Sequence, residues 1–172
     1  MESGIYQVQI GEYSSGENYS QYDVIESGSS YHYYVSRTDD NSGNILTDTG
    51  SWLEFQDTSG WNFEDVWTPT YSSSIDTTPL LVELKFGDGY SQISEKGLTY
   101  SRPEFGCVFQ GIDTRETKSL LAFFEFKGGV DPFFFTSPNG FEKRKYVCTS
   151  WKHEFKSFNI NDINARFVGD EE

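Results

Sequence analysis

Few residues of this chain have types and spacings that could do chemistry. The most suggestive are Gly87-Asp88-Gly89, where two glycines flank an acidic residue. A phosphate-binding loop needs a longer glycine pattern that leads into a helix, and the residues after Gly89 are polar without helical periodicity. Glycine accepts backbone conformations that other residues avoid, and an aspartate side chain can hydrogen-bond its own backbone. The motif therefore predicts a tight hairpin turn that Asp88 helps to shape.

Other reactive residue types give no stronger signal. His32 and His153 are the two histidines, and neither has a metal-ligand spacing with another His or with a Cys pair. No serine lies in Gly-x-Ser-x-Gly, and no two of the 27 acidic residues stand out as a catalytic pair. Cys107 and Cys148 are too few for a disulfide framework, so we expect reduced, buried thiols. We expect no enzymatic activity, no cofactor and no metal site.

Composition favours β structure. Aromatic residues make up 17% of the 172 residues, with a single Met, a mixture typical of short strands and turns. The net charge of −14 argues against binding nucleic acid through its phosphates, and it suits a surface past which DNA moves without adhering. No stretch has the apolar length of a membrane span, and the N-terminus lacks the features of a secretory signal. We expect no membrane insertion.

The acidic residues are unevenly distributed. Residues 1–64 carry 11 acidic residues against Arg37 alone, a net charge of −10, whereas residues 65–172 carry 12 basic and 16 acidic residues, a net charge of −4. This asymmetry predicts two modules, 1–62 and 63–172. In the first module, alternation predicts a strand at 5–10, two short strands are expected at 22–25 and 31–35, and residues 51–55 close the segment.

The first module resembles small three-stranded chitin- and carbohydrate-binding modules. The resemblance rests on the tyrosines at 19–25 and 31–34, a short Gly/Ser turn and a later tryptophan, although the glycine that precedes the aspartate in such modules is missing. It implies exposed rings that stack on sugars, with four candidates: Tyr33, Tyr34, Trp52 and Trp61. The alternative is that these rings form the module's own core, since aromatics supply the largest buried area per residue.

The second module is predicted to be a β-sheet or split barrel with one helix. A strand at 79–86 enters the Gly-Asp-Gly turn, and Phe105, Cys107 and Phe109 alternate in a second strand that could pair with it. Asp113 and Glu116 have the spacing of a capping box, an apolar face follows at 120–124, and Gly128 ends the helix. Strands are also predicted at 146–158 and 163–167. The whole chain is thus predicted to be mainly β.

Three consecutive phenylalanines, Phe133, Phe134 and Phe135, lie between two prolines. A strand buried on both faces, or one packed against a neighbouring subunit, explains them more simply than a cofactor pocket does. The basic run at 143–145 is predicted to be the solvated end of a hairpin, and contact with an acidic partner surface is the alternative.

The second module also resembles the minor tail protein M family of lambda-like phages. The heptapeptide Phe-Gly-Asp-Gly-Tyr-Ser-Gln at 86–92 is specific for that family, and the segments 67–71, 128–130, 132–138 and 146–151 follow in the family's order. The similarity extends from Trp67 to the C-terminus.

The resemblance implies a distal tail protein at the virion tail tip, made and assembled in the host cytoplasm. Such a protein is similar in role to the hexameric ring that joins the tail tube protein to the tail-tip or hub proteins while DNA passes through the lumen. Assembly residues are then expected in two segments: Phe86, Asp88, Tyr90, Phe133, Phe134 and Phe135. The alternative function is a carbohydrate-binding module on the tail exterior that attaches to host surface glycans, and a third is a free host-lysis enzyme.

Overall fold

The computed structural model describes residues 11–28, 31–56, 60–70, 73–79, 81–95, 101–136 and 143–170. The strand predicted at 5–10 lies outside the described residues, as do the last two residues of the segment 132–138.

The N-terminal part forms a small sheet. Its strands are β1 (Gly11–Glu12), β3 (Val24–Ser27), β4 (His32–Ser36) and β6 (Trp52–Glu54), in that spatial order. β1 and β3 are parallel, and the other two pairs are antiparallel. Two further short strands, β2 (Asn18–Tyr19) and β5 (Asn41–Ser42), pair separately. The strands predicted at 22–25 and 31–35 are confirmed as β3 and β4, with β3 beginning two residues later than predicted.

The C-terminal part is built on a five-stranded antiparallel sheet that curls into a half-barrel. Its strands are β7 (Ser74–Pro79), β10 (Ser101–Ile112), β11 (Phe133–Thr136), β12 (Lys143–Ser157) and β13 (Ile160–Gly169), in the spatial order β11-β12-β13-β10-β7. A separate hairpin consists of β8 (Leu81–Lys85) and β9 (Ser91–Glu95). The predicted pairing of the strand at 105–109 with the strand before the turn is wrong, because β10 pairs with β7 and β13.

The single described α-helix, α1 (Thr114–Lys127), begins and ends where the sequence predicts. The Asp113 carboxylate accepts a hydrogen bond of 2.8 Å from the backbone N–H of Glu116, and Gly128 ends the helix in the left-handed conformation with φ 57°. The predicted apolar face is buried against the sheet: Leu120, Leu121, Phe123 and Phe124. The mainly β fold with one helix is confirmed.

One aromatic core joins both parts of the chain. A short 3₁₀ helix (Phe63–Asp65) lies between them, and the Phe63 ring is fully buried. From the N-terminal side, Phe55 packs against Phe123 with 5.3 Å between ring centroids, and Tyr33 packs against Phe126 at 5.6 Å. The two modules predicted at 1–62 and 63–172 thus have separate sheets, but this hydrophobic core crosses the predicted boundary.

Candidate functional site

The hairpin of β8 and β9 contains the Gly-Asp-Gly motif at its turn. The N–H of Phe86 donates to the carbonyl of Tyr90 at 2.8 Å, and the N–H of Gly89 donates to the carbonyl of Phe86 at 3.2 Å. Gly89 has φ 81°, a conformation that costs little only for glycine. Asp88 is exposed at the tip. The hairpin turn predicted from the sequence is confirmed.

The two faces of this hairpin differ in chemistry. Because side chains alternate along each strand, Val82, Leu84 and Phe86 lie on one face, where the rings of Phe86 and Tyr90 are 5.9 Å apart. The opposite face carries Ile93 and an ion pair between Glu83 and Lys85 at 3.8 Å. One face is therefore mostly apolar and the other is mixed.

The hairpin extends from the body of the subunit. Within the described part of the chain, the extensive contacts of β8 and β9 are with each other only. Phe86 is 49% exposed and Tyr90 is 67% exposed, and Leu81, Leu84 and Ile93 are similarly accessible. We call residues 81–95 the arm. It presents apolar side chains to solvent that its own subunit does not cover.

Strand β11 holds the second predicted assembly segment. Phe133 and Phe135 are buried in the subunit's own core, where each packs about 5 Å from the Phe167 ring. Phe134 points to the other face, and the ammonium group of Lys143 lies 4.4 Å from the centre of its ring. The strand is therefore buried on one face and not on both. Of the three phenylalanines predicted to take part in assembly, Phe134 is the one with an outward-facing ring.

The two edge strands of the five-stranded sheet, β11 and β7, differ in how far the chain covers them. At β11, the backbone N–H of Thr136 donates to both carboxylate oxygens of Glu64, at 3.0 and 3.2 Å, and the 3₁₀ helix packs against the strand. At the opposite edge, β7 pairs with β10 alone among the described strands, and all six of its residues are exposed. One edge is covered by the chain itself and the other is open.

The aromatic residues predicted to stack on sugars are mostly in the interior. Tyr33, Trp52 and Trp61 are buried, whereas Tyr34 is partly exposed. Trp52 packs edge-on against Tyr19, with 5.1 Å between ring centroids, and Trp61 donates its indole N–H to the carbonyl of Glu54 at 3.2 Å. The stacking role predicted for these three rings is corrected, because their faces contact protein and cannot at the same time contact a sugar.

An exposed aromatic tip escaped the sequence analysis. Phe155 and Phe158, at the turn between β12 and β13, are 81% and 97% exposed. Beside them, hydrogen bonds from Lys152 and Lys156 lower the pKa of the Glu154 carboxyl to about 2. The alternation of apolar residues predicted the strand at 146–158. It did not show that the end of β12 extends beyond the part of the sheet that the helix covers, which leaves these two phenylalanines exposed.

The cysteines and the possible metal-ligating residues show no reactive arrangement in the described part of the chain. Cys107 and Cys148 are buried free thiols, as predicted, and burial raises the pKa of both, that of Cys148 to about 12. The described ranges contain no group of three or more His, Cys, Asp or Glu side chains arranged to hold a metal ion. Among the same residues, no helix is long and apolar enough to cross a membrane.

Comparisons with known proteins gave matches to a family model, to a curated protein and to a solved structure. A family model described as phage minor tail protein matches residues 64–169. Tail tip protein M of Escherichia phage lambda is 26% identical over 101 residues, which cover 59% of this chain and 91% of that protein. A solved structure of the tail of an empty GTA particle, computed with helical refinement and C6 symmetry, covers 75% of this chain and 89% of its own, with a TM-score of 0.46 and 13% identity.

The matched segment begins at the 3₁₀ helix and contains the arm, the five-stranded sheet and α1. It covers more than half of the chain, and the resemblance seen in the heptapeptide at 86–92 lies within it. This chain therefore belongs to the phage minor tail protein family and is a structural protein of the virion tail.

Proposed function

We propose that this protein is the subunit of an oligomeric ring at the distal end of a phage tail tube, where it joins the tube to the tail-tip complex. The arm is the observation that carries this proposal. Its apolar side chains are exposed, and it has no extensive contact with the rest of the described subunit. Exposed apolar surface of this kind marks protein interaction sites.

A neighbouring subunit is the partner that the arm fits best. A two-stranded hairpin is marginally stable by itself in water, so burial of its apolar face would stabilise it. Leu84, Phe86 and Tyr90 line that face, and aromatic side chains are frequent anchors in protein interfaces. The open edge of β7, next to the start of the arm, offers unpaired backbone groups to the same neighbour.

Such a contact is heterologous, because the arm of one subunit meets a different surface on the next. Heterologous contacts form a ring when the rotation between subunits closes. The number six comes from the resemblance to the family of lambda-like phages, and the tail tube protein and the tail-tip or hub proteins are the proposed neighbours above and below the ring. Phe134, at the far edge of the sheet, is a further candidate contact.

The charge of the chain fits the passage of DNA. A ring of subunits that each carry a net charge of −14 repels phosphates wherever acidic residues face the lumen. DNA would then move through the ring without specific binding. The role is structural, so no catalytic residue and no cofactor is proposed.

Ring formation by purified protein tests the proposal. Size exclusion with light scattering and negative-stain images should show rings for the native chain, alone or mixed with the tail tube protein. The double variant Phe86→Asp with Tyr90→Asp places two charges on the apolar face of the arm and should remain monomeric. The control Ser91→Asp adds a charge to the other face of the same hairpin and should still form rings.

Circular dichroism separates failed assembly from failed folding. The arm has few contacts with the body, so the double variant should keep the native spectrum and melting temperature within about 2 °C. Rings formed by the double variant contradict the role of the arm. A native chain that stays monomeric at all concentrations, also with the tail tube protein, contradicts the ring itself.

A further inference from the structure

A cleft of about 620 Å³ lies between the N-terminal sheet and the start of α1. One wall comes from residues 17–19 and 22–25, the other from the first turns of α1, and Asn159 at the turn between β12 and β13 also lines the cleft. The volume is within the range of small-molecule sites, roughly 300–1,000 Å³. The cleft is distant in sequence from the arm, and the proposed ring contacts do not use it.

An ion pair and hydrogen bonds connect the walls of the cleft. Arg115 of α1 forms an ion pair with Asp23 at 3.4 Å. The side-chain carbonyl of Asn159 accepts a hydrogen bond of 3.1 Å from the backbone N–H of Thr114, which links the turn to the helix. The Asp23 carboxylate also accepts from the N–H of Ser20 at 2.8 Å. Three polar side chains of the cleft, Asp23, Arg115 and Asn159, are therefore held by contacts within the protein.

Tyr22 is the aromatic residue of the cleft that has an unusual backbone conformation, which Asn159 shares with φ 60°. Its backbone has φ 69°, a left-handed conformation that is rare for residues other than glycine and that concentrates at functional sites. Its ring packs against the main core, and burial raises the pKa of its hydroxyl to about 12. Within the described ranges, this hydroxyl has no hydrogen-bond partner.

The charges of the cleft nearly cancel. Three acidic side chains, Glu17, Asp23 and Asp113, face two basic ones, Arg115 and Lys118. This balance differs from that of the chain as a whole, and it favours neither a polyanion such as DNA nor a polycation. Carboxylates accept hydrogen bonds, guanidinium and ammonium groups donate them, and a tyrosine hydroxyl does both. A ligand with many uncharged hydroxyl groups can satisfy all of these, and a tyrosine ring can pack against its apolar face.

We propose that this cleft binds a neutral oligosaccharide, with Tyr22, Asp23, Arg115 and Lys118 contacting its hydroxyl groups. The proposal goes beyond the ring and does not depend on it. It also differs from the stacking platform predicted from the sequence, because Trp52 and Trp61 are buried and only tyrosines reach the cleft.

The test uses the full chain and four defined probes. Chitotetraose, cellotetraose and maltotetraose represent neutral oligosaccharides, and dextran sulfate represents a polyanion. Saturation-transfer NMR detects weak binding, and isothermal titration calorimetry gives the dissociation constant. At least one of the three neutral tetrasaccharides should bind saturably to the native chain.

Three variants locate the site. Arg115→Ala combined with Lys118→Ala should weaken the binding of that tetrasaccharide by about tenfold or more, since it removes charged hydrogen-bond donors. Tyr22→Phe keeps the ring, removes the hydroxyl and should weaken binding by about fivefold. Lys152→Ala removes an exposed charge outside the cleft and should leave the dissociation constant within about twofold.

Three outcomes would overturn the proposal. These outcomes are no saturable binding of any neutral tetrasaccharide, unchanged binding by the Arg115 and Lys118 double variant, and binding of dextran sulfate in preference to the neutral probes. Light scattering on the same samples reports ring formation separately, so a failure of the cleft proposal is distinguishable from a failure of the ring proposal.

Discussion

Replacing Phe63 by alanine is predicted to destabilise both parts of the fold together. The Phe63 ring is fully buried in the core cluster that contains residues of both parts, among them Tyr33 and Phe55 of the N-terminal sheet side. Seven aromatic rings lie with their centroids 5.3–6.1 Å from it: Trp67, Phe109, Phe123, Phe124, Phe133, Phe135 and Phe167. These seven neighbours come from the segment after Phe63, from β10, α1, β11 and β13, so the cavity would open at the centre of the core.

The expected loss follows from that position. Truncation of a buried Phe to Ala costs about 3–5 kcal/mol, and the cost is greatest where the surroundings cannot collapse into the space. Rings fixed on four different elements cannot all move inward, so we expect a loss of about 5 kcal/mol. Because a domain of this size has about 5–15 kcal/mol of stability, the variant would be close to unfolded at 37 °C.

Urea denaturation followed by tryptophan fluorescence and by far-UV circular dichroism measures this loss. Trp52 and Trp61 report on the N-terminal side and Trp151 on the sheet, so coincident transitions in the native chain indicate one cooperative unit. Phe63→Leu, with an expected loss of about 1–2 kcal/mol, keeps the measurement possible if the alanine variant does not fold.

Phe158→Ala is the matched control, since the same ring is removed at a position that is 97% exposed, and its effect should stay within about 0.5 kcal/mol. A loss below about 1 kcal/mol for Phe63→Ala would refute the shared core. Two separate transitions in the native chain would refute it as well.

Two further predictions concern the arm and the thiols. Gly89→Val should abolish ring formation while the melting temperature of the body changes by less than about 2 °C, because φ 81° costs a β-branched residue about 1–2 kcal/mol within an arm that has few other contacts. The control Gly87→Ala, at a glycine without positive φ, should still assemble into rings. Rings formed by Gly89→Val would show that the turn tolerates the strain. Cys107 and Cys148 should resist a thiol-specific reagent at pH 8 in the native protein and react with it in denaturant. The reason is that the raised pKa keeps both thiols protonated and that burial blocks access of the reagent. Fast labelling of the native chain would contradict this prediction.

Local features of the sequence were sufficient to predict the helix and the hairpin turn. Asp113, Glu116 and Gly128 act through bonds within one or two turns of the chain, and Gly89 acts through its own φ angle. Strand pairing was harder to predict because it depends on segments distant in sequence. No separate strand was predicted at β7, since an exposed edge strand has no buried side chains and so no apolar alternation.

Burial of particular rings was the least predictable property. Phe133 and Phe86 are the same residue type in the two segments expected to take part in assembly, yet one is in the core and the other is half exposed. The difference is decided by whether another element covers the strand, and the alternation of a single strand does not contain that information. The same reason explains why Trp52 was a plausible sugar-stacking residue and why the exposed Phe158 was not noticed.

The hydrogen bonds from Thr136 to Glu64 have a consequence for how subunits can join. A sheet with two open edges can be extended from either side, which permits uncontrolled fibres as well as rings. Here the Glu64 carboxylate and the 3₁₀ helix cover part of the β11 edge, whereas β7 has no second partner strand among the described residues. In the proposed ring, a strand added to this sheet would therefore pair with β7, and the neighbouring subunit would supply it from an element other than β11. A polarity of this kind suits a structure in which the two ends meet different neighbours.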